Sequence, residues 1–592
     1  MNVRWARGAG LVGLIFSIGP SALAARQDTT VVESPPAVSD SVPDDTTLVR
    51  IAPTIEPEVP LGPLLPGTRL VLTRDSIQWS GAITLADLLT AVPGVYVARA
   101  GFLGQPEYVR YAGRGPEAVE YFRDGYPLMP VGGDSVYFDP ADVKLTDLQR
   151  VDIEILPSVL RVHLVSERHN TYAPRSFLKV MSGAFSTAQY GAVFSRRWPS
   201  GWGMDLHADF TQSDGAQNVN RSDQLLDIAG KVRWMPAPDL GVVYQIRRQT
   251  QERELLSGIT DGPPLRFGTR TESIFRFFSG GEDDGYGLRF DGGVGTTTWS
   301  DSLLDDQHIR LAFARVRAAR PGAWIELTGR AGDDRVRRDL AVRGGWMPTP
   351  GIVVTAEAGD RLHPGGRTNR YVRGGLGLYR GPFSLVGQVT HRDGVQAPAL
   401  LTDSAQTTDD ASIRLAVSGR RLTGGLALVR RDAFLPLSPP DLPGIAAFDT
   451  TRSATFFVAD GTFHIAQPLT FRGWYVDPGP QQGFSLQPPR HGRGEVTFRS
   501  KFWRQFRSGI FDLKVSYRWE VWGNGVAGLD AGGNPIPLPA TNFQEIFLQI
   551  QLADFKTFWN LRNSTNTRSE YVPGLPYPVN AQVFGVQWVF FN

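Results

Sequence analysis

Cysteine is absent from all 592 residues. That excludes disulfides, thiol nucleophiles and thiolate metal sites, though it assigns no compartment. Long apolar runs are missing as well. Beyond residue 26 no stretch approaches the about 18 apolar residues that a membrane-crossing helix needs, and 41% apolar residues is too little for a bundle of such helices. Neither sign of charge dominates: 61 Lys and Arg against 59 Asp and Glu leave a net charge of +2, which speaks against a nucleic-acid footprint. The eight histidines are scattered, none at a metal-ligand spacing. No nucleophile elbow or phosphate-cradling loop can be assembled. No catalytic, cofactor-binding or metal-ligating residue is therefore expected, and the chain reads as something other than an enzyme. The pairs Asp283–Asp284, Asp305–Asp306 and Asp333–Asp334 read as solvated turns rather than Ca²⁺ ligands.

What the chain does have is alternation. From about Arg175 onward, apolar and polar residues exchange with period two. Phe511, Leu513, Val515, Tyr517, Trp519 and Val521 stand against Asp512, Lys514, Ser516, Arg518 and Glu520. Successive side chains of a strand point to opposite faces, so each segment has one oily and one charged face. Segments near ten residues suit a tilted strand crossing a bilayer. Their connections alternate between tight turns, such as Trp198–Gly201 and Arg320–Gly322, and long loops, such as Leu435–Thr451 and Gly523–Thr541. Periplasmic turns and extracellular loops of outer-membrane barrels alternate in this way. A soluble sandwich has no reason to do so. The count is about 22 strands. The expected fold is mainly β: a transmembrane antiparallel barrel too wide for its own side chains to fill, and barrels of that width are plugged. Arginine far outnumbers lysine on the polar faces (Arg233, Arg247, Arg315, Arg317, Arg414, Arg499, Arg518, Arg562). Either charge pairing along the lumen or an anion-tolerant surface accounts for this.

The ends carry further signals. Arg4 and Arg7, the apolar Ala9–Ile18 and Ala22-Leu23-Ala24 resemble a secretory signal peptide. Residues 25–65, rich in Pro, Thr, Asp and Glu, cannot bury enough surface to offset their ordering entropy and are read as a disordered arm. Around Thr84 a helix begins: Thr84 is a suitable N-cap, Leu85, Leu88, Leu89 and Val92 recur at helical spacing, and Pro93-Gly94 ends it. Short strand-like runs follow to about residue 166, the outline of a small α+β domain.

Several of these pieces resemble a known family in order and spacing. Leu85-Ala86-Asp87-Leu88-Leu89, Val92-Pro93-Gly94-Val95, Gly113-Arg114-Gly115, Asp124-Gly125-Tyr126-Pro127-Leu128 and Val151-Asp152-Ile153-Glu154-Ile155-Leu156 look like the plug of TonB-dependent receptors. Gly113, Arg114, Gly115, Asp124 and Gly125 would then be structural plug-turn positions. Asp28-Thr29-Thr30-Val31-Val32 resembles the TonB box, which implies TonB contact through Asp28, Thr29, Val31 and Val32. Gly585, Trp588 and Phe590 sit at the spacing of the C-terminal signal read by the barrel-assembly machinery. One departure stands out. Pro157–Ser166 lacks the glycine-rich turn that family plugs carry after the Ile-Glu-Ile strand, which leaves coupling to energy in question.

The resemblance implies a signal peptide over 1–24, an arm over 25–65, a plug over 66–170 and an outer-membrane barrel over 171–592. It implies a receptor that takes a scarce solute into the periplasm, with TonB, outer-membrane lipid and an unidentified solute as partners, and no nucleic acid. The alternative is a plug-containing barrel with a surface-binding or structural role and no energised transport.

Overall fold

A computed structural model describes residues 62–591, apart from 132–136, 158, 216–221, 255–264, 281–285, 303–305, 333–334, 396–404, 438–441, 443, 479–484, 486–487 and 566–568. The signal-peptide and TonB-box residues, Asp283–Asp284, Asp305 and Asp333–Asp334 lie outside the described residues.

Alternation decides the architecture. Among the described residues, twenty-two antiparallel strands close into a barrel, from 8 residues (Phe555–Arg562) to 16 (Leu265–Gly280) in length. Leu206, Ile228, Val232, Leu327, Val389 and Leu426 point outward and exposed, while Asp205, Asp209, Asp227 and Glu326 point inward and buried. No described helix is long and apolar enough to cross a membrane; the outward apolar face belongs to the strands. Closure comes from the C-terminal strand Ala581–Phe591, which pairs with Phe555–Arg562 on one side and with the first barrel strand, Arg175–Gly183, on the other. Phe584, Val586, Trp588 and Phe590 lie on its lipid side. Gly585 faces inward, where a Cβ would meet the Val180 carbonyl oxygen at 2.4 Å and the Phe558 ring at 2.7 Å; no other residue fits that spot.

Inside sits the N-terminal domain. Strands β1 (Arg69–Thr73), β4 (Val119–Arg123), β5 (Tyr126–Pro127), β6 (Leu148–Ile155) and β7 (Leu160–Ser166) form a sheet in the order β1-β6-β7-β4-β5. Beside it lies the hairpin of β2 (Val95–Arg99) and β3 (Glu107–Tyr111). The predicted helix is present as Leu85–Leu89, and its N-terminus is a capping box: the Asp87 amide donates to the Thr84 hydroxyl, and the Thr84 amide donates to the Asp87 carboxylate. Helix, sheet and hairpin bury Leu85, Leu89, Val92, Val97, Val109, Val151, Ile153 and Val162 in one core. The departing segment still makes a strand. β7 runs antiparallel to β6 and parallel to β4, entered by a tight turn in which the Leu156 amide donates to the Val159 carbonyl oxygen.

The two rims differ. Both barrel ends and the tight turns share one rim, and there the described chain enters: Pro63 accepts from the Trp324 indole, and Leu65 packs on Val353. The long loops share the other rim, where the tip of the β2–β3 hairpin arrives and Phe102 meets Phe185 edge to face. Short turns mark the periplasmic side and long loops the exterior. Two of those loops carry hairpins that the period-two reading left as plain loop, Gly525–Leu529 with Pro535–Leu538 and Ser569–Val572 with Leu575–Tyr577.

Candidate functional site: the seam between plug and wall

Every polar-face arginine singled out in the sequence finds an acidic partner. Arg233 pairs with Asp205, Arg315 with Asp291, Arg317 with Glu326, Arg414 with Asp460, Arg499 with Asp512 and Arg518 with Glu495 and Glu545. Arg247 joins wall to plug by bridging Asp227 and Asp147, and Arg562 does so through Asp87 at 2.6 Å. Of the two sequence readings, charge pairing is the one the structure displays.

The seam continues around most of the bore. On one side Arg161 of β7 reaches Glu357 of the wall at 2.6 Å and Glu120 of β4 at 3.1 Å, while Arg343 of the wall reaches Glu154 of β6 at 3.1 Å. Burial would push the Glu154 carboxyl up, but Arg343 and the neighbouring His163 and Arg161 hold it well below its ordinary range. About a third of the way round the barrel Thr146 donates to Asp209 at 2.8 Å, Lys144 to Thr211 at 3.0 Å, and Lys231 to Ser166 at 2.7 Å. Towards the periplasmic rim Lys514 and Arg518 donate to the carbonyl oxygens of Trp79 and Ser80, and Asn560 to that of Gly81.

The predicted plug-turn residues are part of this seam. Asp124 and Gly125 both have positive φ (48° and 84°) and link β4 to β5 in a two-residue turn that favours this pair of residue types. The Asp124 carboxylate accepts from the Ser166 amide and hydroxyl, and its carbonyl oxygen from Arg276 of the wall at 2.9 Å. Gly113 (φ 86°) follows Ala112 (φ 45°) in a second tight turn, closed by reciprocal hydrogen bonds between Tyr111 and Arg114. The Gly115 amide donates to the Glu117 carboxylate at 3.0 Å, and a side chain at 115 would have to displace that carboxylate. Arg114 does more than shape a turn. It is 1% exposed, pairs with the equally buried Asp410 at 2.7 Å and lies 4.6 Å from the Phe434 ring centroid. Next to it Arg431 donates to the Ala112 carbonyl oxygen, and Trp474 to that of Thr90.

Among the described residues, one sector has a cavity in place of such stitches along its inner half. Below the Arg114–Asp410, Arg431–Ala112 and Trp474–Thr90 contacts lies a cavity of about 230 Å³. The plug side contributes Pro66–Leu70 and Ile155–Pro157, and the wall contributes Gln388, Ser412, Arg414, Thr423, Asp460 and Arg472. The segment that departs from the family pattern borders this gap.

Above the plug, the space where a solute would be expected is filled by side chains. Tyr96, Phe102 and Tyr108 of the hairpin pack against Phe448, Trp522, Phe543, Tyr571 and Tyr577 from the wall and two long loops. The Tyr96 hydroxyl donates to the Tyr571 carbonyl oxygen at 2.6 Å, and the Phe543 and Tyr571 rings stack at 4.5 Å. The loops are tied to each other as well: the Leu529 amide donates to the Ala447 carbonyl oxygen at 2.8 Å. No sequence pattern announces this cover, because its members come together only when the barrel closes.

A closed transmembrane barrel stoppered by an internal α+β domain and roofed by its own loops is the architecture of a plugged outer-membrane barrel. The comparisons with known proteins agree. Residues 64–156 match the model of the TonB-dependent Receptor Plug Domain family. No curated protein sequence matches significantly. Among solved structures, the ferric enterobactin receptor of Pseudomonas aeruginosa aligns at 11% identity, TM-score 0.69, over 88% of this chain and 99% of that one. The siderophore receptor PirA of Acinetobacter baumannii aligns at 12% identity, TM-score 0.66, over 88% and 98%, and the FrpB iron transporter of Neisseria meningitidis at 10%, TM-score 0.66, over 89% and 100%. Residues 64–156 are thus a plug domain of the TonB-dependent receptor type, and the chain shares the plugged-barrel fold of these structures, a multi-pass β-barrel of the bacterial outer membrane.

Proposed function

We propose that this protein is a receptor that takes a scarce solute from outside, an iron chelate of the kind named for its structural neighbours, and passes it to the periplasm when TonB pulls on the arm. The observation that carries the reading is the seam. A plug fixed to the wall by buried ion pairs and covered by packed loops obstructs the bore, so passage of a solute requires work on the plug. In this reading the solute docks on the Tyr96–Tyr108 hairpin after the loops lift. Asp28, Thr29, Val31 and Val32 add as a strand to TonB. The boundaries proposed for the mature protein are an arm to residue 65, a plug to 170 and a barrel beyond, with Gly585, Trp588 and Phe590 read by the barrel-assembly machinery.

Deleting Asp28–Glu33 tests the energised step. Accumulation of the transported solute from a panel of ferric chelates is expected to fall to the level of a strain lacking the receptor, while surface binding of that solute stays at the wild-type level. Unchanged accumulation would remove TonB coupling from the account.

A further inference from the structure

The tight-turn rim has one outlier. Between the strands His491–Ser500 and Phe511–Trp522 the chain makes a ten-residue excursion, Lys501-Phe502-Trp503-Arg504-Gln505-Phe506-Arg507-Ser508-Gly509-Ile510, where the other turns of this rim use two to six residues. The excursion is an ordered object. The Gln505 and Phe506 amides both donate to the Phe502 carbonyl oxygen, at 2.8 and 2.9 Å, and the Gly509 amide donates to that of Phe506 at 3.1 Å. The Phe502 amide is held by the Ser500 hydroxyl at 3.2 Å. Gly509 (φ 69°) lies against the Trp503 indole, where a Cβ would come within 2.6 Å of the ring.

Its rings are continuous with the lipid face. Phe498 and Phe511 lie on the outward side of their strands, in register with Val515 and Leu552. Phe502 packs on both, and Phe506 stacks on Phe511 at 4.6 Å and 20°. Trp503, Phe506 and Ile510 remain 57%, 42% and 50% exposed, a patch that water does not favour but an acyl-chain boundary does. The charge is one-sided. Lys501, Arg504 and Arg507 have no acidic residue among them; Lys501 sits 5.4 Å from the Trp503 ring centroid, and none of the three forms an ion pair with a described residue. The nearest acid in sequence, Asp512, is buried and taken by Arg499.

We propose that the Lys501–Ile510 turn is a docking site for anionic phospholipid of the periplasmic leaflet: Trp503, Phe506 and Ile510 enter the boundary of the acyl chains, and Lys501, Arg504 and Arg507 hold the phosphodiester headgroup. The placement fits both halves of such a ligand. The rings stand where the lipid-facing wall reaches its inner edge, and the cations alternate with them in the same turn, Arg504 and Arg507 exposed. Aromatic residues are favoured at either interface of a barrel, but three unpaired cations interleaved with them select a negative headgroup.

The test uses the full chain in nanodiscs of phosphatidylcholine with a minority of phosphatidylglycerol. Wild-type protein is expected to retain phosphatidylglycerol through detergent extraction, counted by native mass spectrometry. K501Q/R504Q/R507Q is expected to bind it on the order of a hundredfold more weakly, about fivefold per cation. A second readout leaves the cations in place. The Trp503 share of the fluorescence, taken as wild type minus W503F, should be quenched more by brominated phosphatidylglycerol than by brominated phosphatidylcholine. A triple glutamine variant that folds and retains as much phosphatidylglycerol as wild type overturns the proposal. Equal quenching by the two brominated lipids overturns it as well, and that arm stands even where the triple variant fails to assemble.

Discussion

Replacing Asp87 with alanine is expected to loosen the plug by about 3–5 kcal/mol, the cost of stranding buried charge by removing one partner. Asp87 is clamped between two guanidiniums, Arg562 of the wall at 2.6 Å and Arg99 of the β2–β3 hairpin at 2.6 Å, and it also accepts the Ile83 and Thr84 amides of the capping box. Arg99 is shared in turn with Glu107. One carboxylate therefore joins helix, hairpin and barrel, and its loss leaves two buried cations with one acid between them. Burial would raise this carboxyl, but Arg562 and Arg99 outweigh it and hold it far below its ordinary range. A depressed carboxyl contributes stability that is complete above its unfolded value, about 3.9, and disappears only as pH falls through the folded value. The Asp87 contribution should thus persist unchanged from pH 7 to about 4 and be lost only in stronger acid. Hydrogen exchange of the plug amides measures this: D87A should speed exchange across β2 and β3 at pH 7, while wild type should show no Asp87-dependent loosening down to about pH 4. Equal exchange in the two proteins would show that the clamp does not hold the plug.

Arg114→Ala is expected to open the receptor to small ions. The Arg114–Asp410 pair stands at the outer end of a stretch of wall where a cavity of about 230 Å³ separates plug and barrel. Removing the guanidinium leaves Asp410 fully buried with the Asp432 amide as its remaining donor, at 3.0 Å. A buried carboxylate in that position draws in water or moves, and either outcome joins the cavity below to the outside. Planar-bilayer recordings should show near-silent wild type and discrete conductance in R114A and in D410A. Swapping the charges, R114D/D410R, should restore most of the seal, because the pair and not either residue alone provides it. A silent R114A would place the seal elsewhere, with Arg431 and Trp474 as the next contacts to remove.

How much of this was legible in the sequence depends on the range of the interaction. The wall was, because period two is a local property: Phe511–Val521 against Asp512–Glu520 shows its two faces without any knowledge of neighbours. The capping box at Thr84–Asp87 was half legible, as a cap without its reciprocal bond. The seam was not. Asp87 and Arg562 are 475 positions apart, and nothing in either neighbourhood names the other until the barrel closes and register is fixed. Arg114 read as a turn residue because its flanking glycines dominate the pattern; its partner Asp410 sits in a strand whose polar face looks like any other. The loop cover and the Lys501–Ile510 turn went unread for a related reason. Both lie between strands, where the period that guides the eye stops and side-chain packing takes over.

The absence of cysteine makes the central claim, a plug lodged in the bore, directly measurable. An ideal Cβ at Gly191 of the wall lies 3.5 Å from the Cβ of Thr146 in the plug, at the short end of the separation a disulfide spans. In cells carrying the T146C/G191C receptor, the account predicts a bridge that forms within one chain without added oxidant, seen as a single cross-linked peptide joining the two positions and removed by reductant. Two freely alkylated thiols in a folded, membrane-embedded barrel would contradict it.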